Sequence, residues 1–190
     1  LTFWSPNINI FRDPRWGRGH ETYGEDPLLT GSLASAFIRG LQGNDPKYLK
    51  TVATSKHFAV HSGPEALRHG FDVDVSDVDL YETYLEAFRM TVVDAKVASV
   101  MSAYNRFRGA PASASHFLLE ETLRHQWGFN GYVVSDCGAI GDILYNHKIV
   151  DSKAEAARMA LEGGCDLNCG STYLSLKELL DKGILKEEAV

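Results

Sequence analysis

The sequence predicts an α/β fold of about five βα units with parallel strands and outer helices, either part of a (β/α)8 barrel or a small doubly wound sheet. Three observations carry this expectation. Apolar runs of strand type alternate with longer stretches of helical periodicity. The units recur every ~30–45 residues, the length of a strand plus a crossover helix. Polar residues stand where each apolar run ends: Lys56 and His57, Tyr104 and Asn105, Asp136, and Asp166. Right-handed crossovers put the carboxyl ends of parallel strands on one side, where active sites of such folds are built, so the four tips are expected to converge.

The elements follow in order. Residues 3–10 read as extended. The segment NIFRDPRWGRGHETYGEDP, residues 9–27, has no periodicity and is dense in Arg, Gly, Trp and acid. It is expected as a loop tied down by ion pairs, Arg12 or Arg15 with Asp13 or Glu21, with the spare arginines suited to forked hydrogen bonds to vicinal hydroxyls. Residues 27–41 are helical, and residues 51–59 (TVATSKHFA) form a strand followed by a loop holding Gly63 and Pro64. A helix is expected over 76–96, because Ser76 followed by Asp79 resembles a capping box and Leu80, Tyr84, Leu85, Phe88 and Val92 share one face. Then come a strand over 97–104 (VASVMSAY), a helix over 115–127 with Phe117, Leu118, Leu123 and Trp127 inward, and a strand over 131–135. A helix over 153–161, a short strand over 165–167 and a helix over 174–182 complete the series.

The composition narrows the function classes. The chain has 190 residues, 44% hydrophobic and 23% charged, which is ordinary for one folded domain. A net charge of −6 with scattered Lys and Arg argues against a nucleic-acid surface. No apolar run reaches the roughly 18 residues of a membrane span, and no segment resembles a signal peptide. The chain opens at Leu1 in what reads as the middle of a fold, so a fragment is expected and the compartment stays open. Cys137, Cys165 and Cys169 are too few for a disulfide framework and are expected as buried thiols. His57, His61 and Glu65 have the spacing of a helical metal triplet, but Gly63 and Pro64 break the helix it needs, so no metal site is expected. Gly17 and Gly19 lack the flanking strand and helix of a dinucleotide loop.

Two tips invite chemistry. In GYVVSDCGAI, residues 131–140, a buried strand delivers Asp136. An aspartate there can cap a helix or make an Asx turn, yet a rigid strand behind it also suits a nucleophile. Lys56 and His57 are adjacent, and neighbours on a strand point to opposite faces, so both reach one ligand only where the strand is ending. A lone buried histidine is usually structural. Beside a lysine it suits a polyhydroxylated ligand, because lysine offers three donors and imidazole a donor and an acceptor.

Four stretches, SPNINIFRDPRWGRGHETYGEDP, TSKHFAVHSGPEALRHGFD, SVMSAYNRFRGAPA and GFNGYVVSDCGAI, together resemble the amino-terminal barrel domain of glycoside hydrolase family 3. The resemblance is close over residues 3–142 and implies a single domain, part of a TIM (β/α)8 barrel whose remainder, with a following domain, lies outside this chain. It implies an exo-acting retaining β-glycosidase, a β-xylosidase or β-glucosidase, that removes terminal non-reducing sugars through a covalent glycosyl-aspartate. By match to the motifs, Asp136 is the implied nucleophile, Lys56, His57 and Arg18 bind sugar hydroxyls, and Tyr104 sits near the nucleophile. Glu65 is implied to touch a substrate hydroxyl. The general acid of most members comes from the following domain. One branch, the β-N-acetylglucosaminidases, keeps an Asp-x-His acid in the loop after the Lys-His pair; here His69 has Leu67 at the partner position, which argues against that branch. Cys137 replaces a tryptophan frequent in family β-glucosidases, and the SDCGA form with the HSGPEALRHGFD loop is more like β-xylosidases. A two-carboxylate mechanism needs no cofactor. The implied partner is an oligosaccharide or an aryl or alkyl β-glycoside, and secretion or a periplasmic location suits such an enzyme. The alternative is a non-catalytic carbohydrate-binding or structural fragment of the same fold.

Overall fold

The computed structural model describes all residues, Leu1–Val190. Its strands are β1 (Thr2–Phe3), β2 (Val52–Phe58), β3 (Asp72–Val73), β4 (Ser99–Ser102), β5 (Arg106–Phe107), β6 (Ala110–Pro111) and β7 (Tyr132–Ser135). The main sheet has the order β1-β2-β4-β7, and every pairing in it is parallel. β4 is buried along its whole length, as expected of a parallel strand covered on both faces.

The helices are α1 (Pro27–Gln42), α2 (turns Asp77–Asp79, Leu80–Tyr84, Glu86–Arg89 and Met90–Asp94), α3 (Phe117–Gln126), α4 (Ala139–Tyr145), α5 (Lys153–Glu162) and α6 (Leu176–Asp181). Local chemistry sets their starts. Asp26 accepts the Leu29 N–H at 2.6 Å with Pro27 in the first turn of α1. Ser76 accepts the Asp79 N–H at 3.1 Å, which is the expected cap of α2. Ser152 accepts the Glu155 N–H at 3.2 Å while Glu155 reaches back to the Asp151 N–H at 3.1 Å. Turns of π type interrupt α2 and run through α3. The core between sheet and helices is built on Phe58, Phe88, Val100, Leu118, Val133 and Ile140.

The fold is thus α/β, an open part of a (β/α)8 barrel, and several expectations are corrected by it. The stretch 3–10 is extended as expected: Phe3 ends β1 and the chain continues beside β2, with Asn7 bridging Lys56 and the Ile8 N–H donating to the Lys56 carbonyl at 2.8 Å. The strand expected over 165–167 is a single bridge, Leu167 to Val134. Asp166 explains the shortfall: its Oδ2 accepts the Val133 N–H at 2.6 Å, so a side chain takes a donor at the start of β7. The same oxygen accepts from Arg124 of α3 at 2.6 Å, so Asp166 does not join the other tips. The β3-β5-β6 sheet and α4 were not expected; β5 and β6 are joined through Arg108 and Gly109, both at positive φ (49° and 84°), a hairpin turn without the usual Asn-Gly.

The cysteine expectation is also corrected. Cys165 is a buried thiol, but Cys137 and Cys169 are joined in a disulfide. The physical reason is the Val134–Leu167 bridge, which lays the two following loops side by side and brings Cα atoms 32 residues apart in sequence to 4.4 Å.

The sheet edge at β1 is uncovered, with Phe3 and Trp4 each 41% exposed, and the outer face of α1 shows Leu29, Leu33 and Phe37. Residues 1–190 expressed alone are therefore expected to self-associate, as open edges and apolar faces pair with copies. Sedimentation that finds a monomer with one sharp, reversible unfolding transition would contradict this.

Candidate active site

Asp136 follows β7 directly, and its backbone N–H donates to the Ser102 carbonyl of β4 at 3.1 Å. Its Oδ1 accepts the Cys137 N–H at 2.7 Å. Its Oδ2 is buried without a hydrogen bond and faces His57 Nε2 at 3.4 Å and Arg18 Nη1 at 3.8 Å. Burial pushes the Asp136 carboxyl above its ordinary pKa, while the Cys137 N–H, Arg18, the Tyr104 hydroxyl and Lys56 pull it the other way.

β2 delivers both Lys56 and His57 because its register with β4 slips between Lys56 and Phe58. Lys56 pairs with Met101 and Phe58 with Ser102, so His57 stands in a bulge that re-aims it. His57 is fully buried and held by Asn9 in three contacts: Asn9 Nδ2 donates to the His57 carbonyl at 2.8 Å, and Asn9 Oδ1 accepts from the His57 N–H and from Nδ1, each at 2.9 Å. The amide orientation is fixed by its two backbone partners, so Nδ1 carries the proton and Nε2 is an acceptor in the neutral ring. Burial, then the charges of His61, Arg18, Lys56 and Arg68, keeps His57 well below the ordinary histidine pKa. Burial and the Arg18 charge also lower that of Lys56.

Arg18 is presented by the turn Gly19–Glu21, where its Nε and Nη2 donate to the two Glu21 oxygens at 2.7 and 2.9 Å. Burial opposes its charge, but Glu21, Asp136 and Tyr104 together outweigh burial and the pKa rises. Tyr104, just beyond β4, donates its hydroxyl to the Cys137 carbonyl at 2.9 Å, and burial raises its pKa. Behind this layer lies His61, whose Nδ1 meets Asn105 Oδ1 at 3.1 Å; burial pushes it down to about 3.

The structure therefore brings Arg18, Lys56, His57, Tyr104 and Asp136 together. Glu65 is placed otherwise: its carboxylate accepts the Gly17 N–H at 3.0 Å and pairs with Arg68, which ties the arginine-rich loop to the loop after β2. Arg15 pairs with Asp13 at 2.8 Å as expected, whereas Glu21 goes to Arg18 and Arg12 lies over the Tyr84 ring. Sequence reasoning missed Asn9, although NINI alternates polar and apolar residues and so places Asn7 and Asn9 on one side of an extended stretch. It also missed Asp142 of α4, whose Oδ2 lies 2.7 Å from His69 Nδ1. His69 thus finds a carboxylate outside its own loop, with its ring packed on Tyr104 at a 4.4 Å centroid distance.

A model of the glycosyl hydrolase family 3 N terminal domain matches residues 2–190. The chain belongs to glycosyl hydrolase family 3. This family 3 domain is 50% identical to a xylan 1,4-beta-xylosidase of Xylanibacter ruminicola over 100% of the chain and 22% of that protein, and 45% identical to an exo-1,4-beta-xylosidase of Emericella nidulans over 100% and 26%. Among solved structures it resembles a family 3 exo-beta-xylosidase in complex with a xylobiose aziridine activity-based probe (TM-score 0.95, 36% identity, 99% of this chain and 25% of that one). It also resembles a β-glucosidase of Erythrobacter marinus (TM-score 0.92, 37% identity, 99% and 26%). The chain spans about a quarter of the length of these relatives.

The fixed tautomer in this family 3 domain is open to direct reading. In imidazole 15N spectra of the full-length protein, His57 and His61 are expected to stay neutral from pH 5 to 8, with His57 protonated on Nδ1. A His57 midpoint near the ordinary value of about 6.5 would contradict the burial argument.

Proposed function

We propose that this domain supplies the nucleophile and part of the sugar-binding surface of an exo-acting retaining β-glycosidase, of β-xylosidase type. The observation that carries the reading is the Asp136 carboxylate itself. One oxygen is held by a backbone N–H, and the other is bare and faces a guanidinium and a neutral imidazole.

In this reading the Asp136 carboxylate attacks the anomeric carbon of the terminal sugar as the bond to the leaving oxygen breaks. A general acid protonates that oxygen, and the same group then takes a proton from the water that releases the sugar. Retention asks for a second carboxyl about 5–5.5 Å from the first. The resemblance to family 3 implies that another part of the full-length protein supplies it. Arg18 and Lys56 favour the ionised nucleophile. Lys56 donates to a sugar hydroxyl, and His57, whose Nε2 is buried beside Asp136 Oδ2, lines the site from behind rather than meeting the sugar as the family resemblance implies. The xylosidase names of the relatives at 50% and 45% identity support xylose as the sugar, within substrates that are oligosaccharides or aryl β-glycosides.

Two substitutions test this in the full-length protein. Asp136→Asn is expected to lower kcat/KM for an aryl β-xyloside by at least about 10³-fold with folding retained. Arg18→Gln removes a cation beside the carboxylate, so the Asp136 pKa rises and the acid limb of kcat/KM moves to higher pH. Full activity in the Asp136→Asn protein would end the assignment.

A further inference from the structure

The Cys137–Cys169 disulfide joins the residue after Asp136 to the loop that follows the Val134–Leu167 bridge. Both peptide groups of Cys137 serve the site: the N–H donates to Asp136 Oδ1 at 2.7 Å, and the carbonyl accepts the Tyr104 hydroxyl at 2.9 Å. Backbone bonds share the task, the Asp136 carbonyl accepting the Ala139 N–H at 3.0 Å, so the disulfide adds to a turn rather than acting alone. Cys137 is exposed, and Gly138 behind it turns the chain at φ 87°, with nothing within 4 Å of where a Cβ would sit. Across the bond, Cys169 is anchored on the sheet, its N–H donating to Ser135 Oγ at 3.0 Å and its carbonyl accepting the Gly138 N–H at 2.8 Å.

We infer that this disulfide is a positioning device for the nucleophile: it holds the Cys137 peptide so that its N–H meets Asp136 and its carbonyl meets Tyr104, and opening it with a dithiol lowers activity reversibly. The inference rests on the reading of Asp136 as nucleophile. A thiolate of the dithiol attacks one sulfur to give a mixed disulfide. Its second thiolate then closes the reagent into a cyclic disulfide, leaving Cys137 and Cys169 as thiols. The protein bond gains two electrons and two protons, and the dithiol is oxidised. Exposure of Cys137 makes the bond reachable.

A lost or lengthened N–H bond to Asp136 has a particular signature. A hydrogen bond to the ionised form favours that form, so loosening it lets burial push the carboxyl higher. Of the other groups facing Asp136, Arg18 from the arginine-rich loop and Lys56 from β2 keep their charges, and His57 from β2 and Tyr104 beyond β4 stay neutral. The acid limb of kcat/KM therefore moves to higher pH, a change that a bond serving stability alone would not cause.

The test uses the full-length protein in oxidised, dithiothreitol-reduced and reoxidised forms, with new thiols counted by maleimide mass tagging, alongside Cys169→Ser and the Cys137→Ala/Cys169→Ala pair. Reduced enzyme and variants are expected to lose at least about tenfold in kcat/KM for an aryl β-xyloside, as small misplacements of reacting groups do. Their acid limb is expected to rise by roughly 0.5–1 pH unit, and reoxidation restores the wild-type profile. Two new thiols with an unmoved acid limb, whether activity is kept or falls uniformly, overturn the inference. Oxidised wild type and Asp136→Asn serve as controls: an inactive wild type or a fully active Asp136→Asn sinks the nucleophile assignment and this inference with it, whereas intact controls confine a failure to the disulfide's role.

Discussion

Keeping a buried carboxylate charged is the constraint on which the rest of the site depends. Removing an ion from water costs several kcal/mol even after a protein relaxes around it, and Asp136 is drawn toward its neutral form by burial. The counterweights come from separate parts of the chain: the adjacent Cys137 amide, Arg18 from the loop before α1, and Lys56 from β2. Parallel strands whose ends lie on one side are what allow these distant segments to meet. The arrangement leaves one carboxylate oxygen without a hydrogen bond, which stabilises nothing in the resting fold.

His57, Arg18 and Tyr104 beside Asp136 are each oriented by a partner of their own. Asn9 sets the tautomer of His57, and Glu21 holds Arg18 in a two-pronged grip while also accepting from Asn7 at 3.3 Å. Cys137 fixes the Tyr104 hydroxyl, and His147 Nε2 meets the Tyr104 carbonyl at 3.0 Å. Such supports matter because catalytic geometry tolerates displacements of well under about 1 Å, and long side chains on loops do not hold that precision unaided. Glu65 belongs to this supporting class: by accepting the Gly17 N–H, it steadies the loop that carries Arg18.

Much of this was legible in the sequence where one residue type at one position had a single physical consequence. Apolar runs and 3.6-residue patterns located β2, β4, β7 and helices α1, α2, α3 and α5, because burial selects them directly. Asp136, the Lys56–His57 pair and Tyr104 stood out as polar groups at the ends of apolar runs, and Arg18 came from the family resemblance. What was not legible depended on pairing between segments. The Cys137–Cys169 bond needed the Val134–Leu167 bridge, and the His69–Asp142 contact needed α4, whose two turns containing Gly141 carry too weak a pattern to announce a helix. Asp166 failed for a related reason. Polarity at the end of a run does not say whether the side chain turns to the site or, as here, back to the Val133 N–H and Arg124.

The central claim is that Asp136 forms a covalent bond to the sugar, and trapping that bond tests it most directly. The full-length protein would be treated with a 2-fluoro-2-deoxy-β-xylosyl inactivator, which slows hydrolysis of the glycosyl-enzyme, and then digested for peptide mass mapping. The account predicts one fluoroxylosyl label, on Asp136 in the GYVVSDCGAI peptide. A label on another carboxylate, or none from a preparation that hydrolyses an aryl β-xyloside, would contradict it.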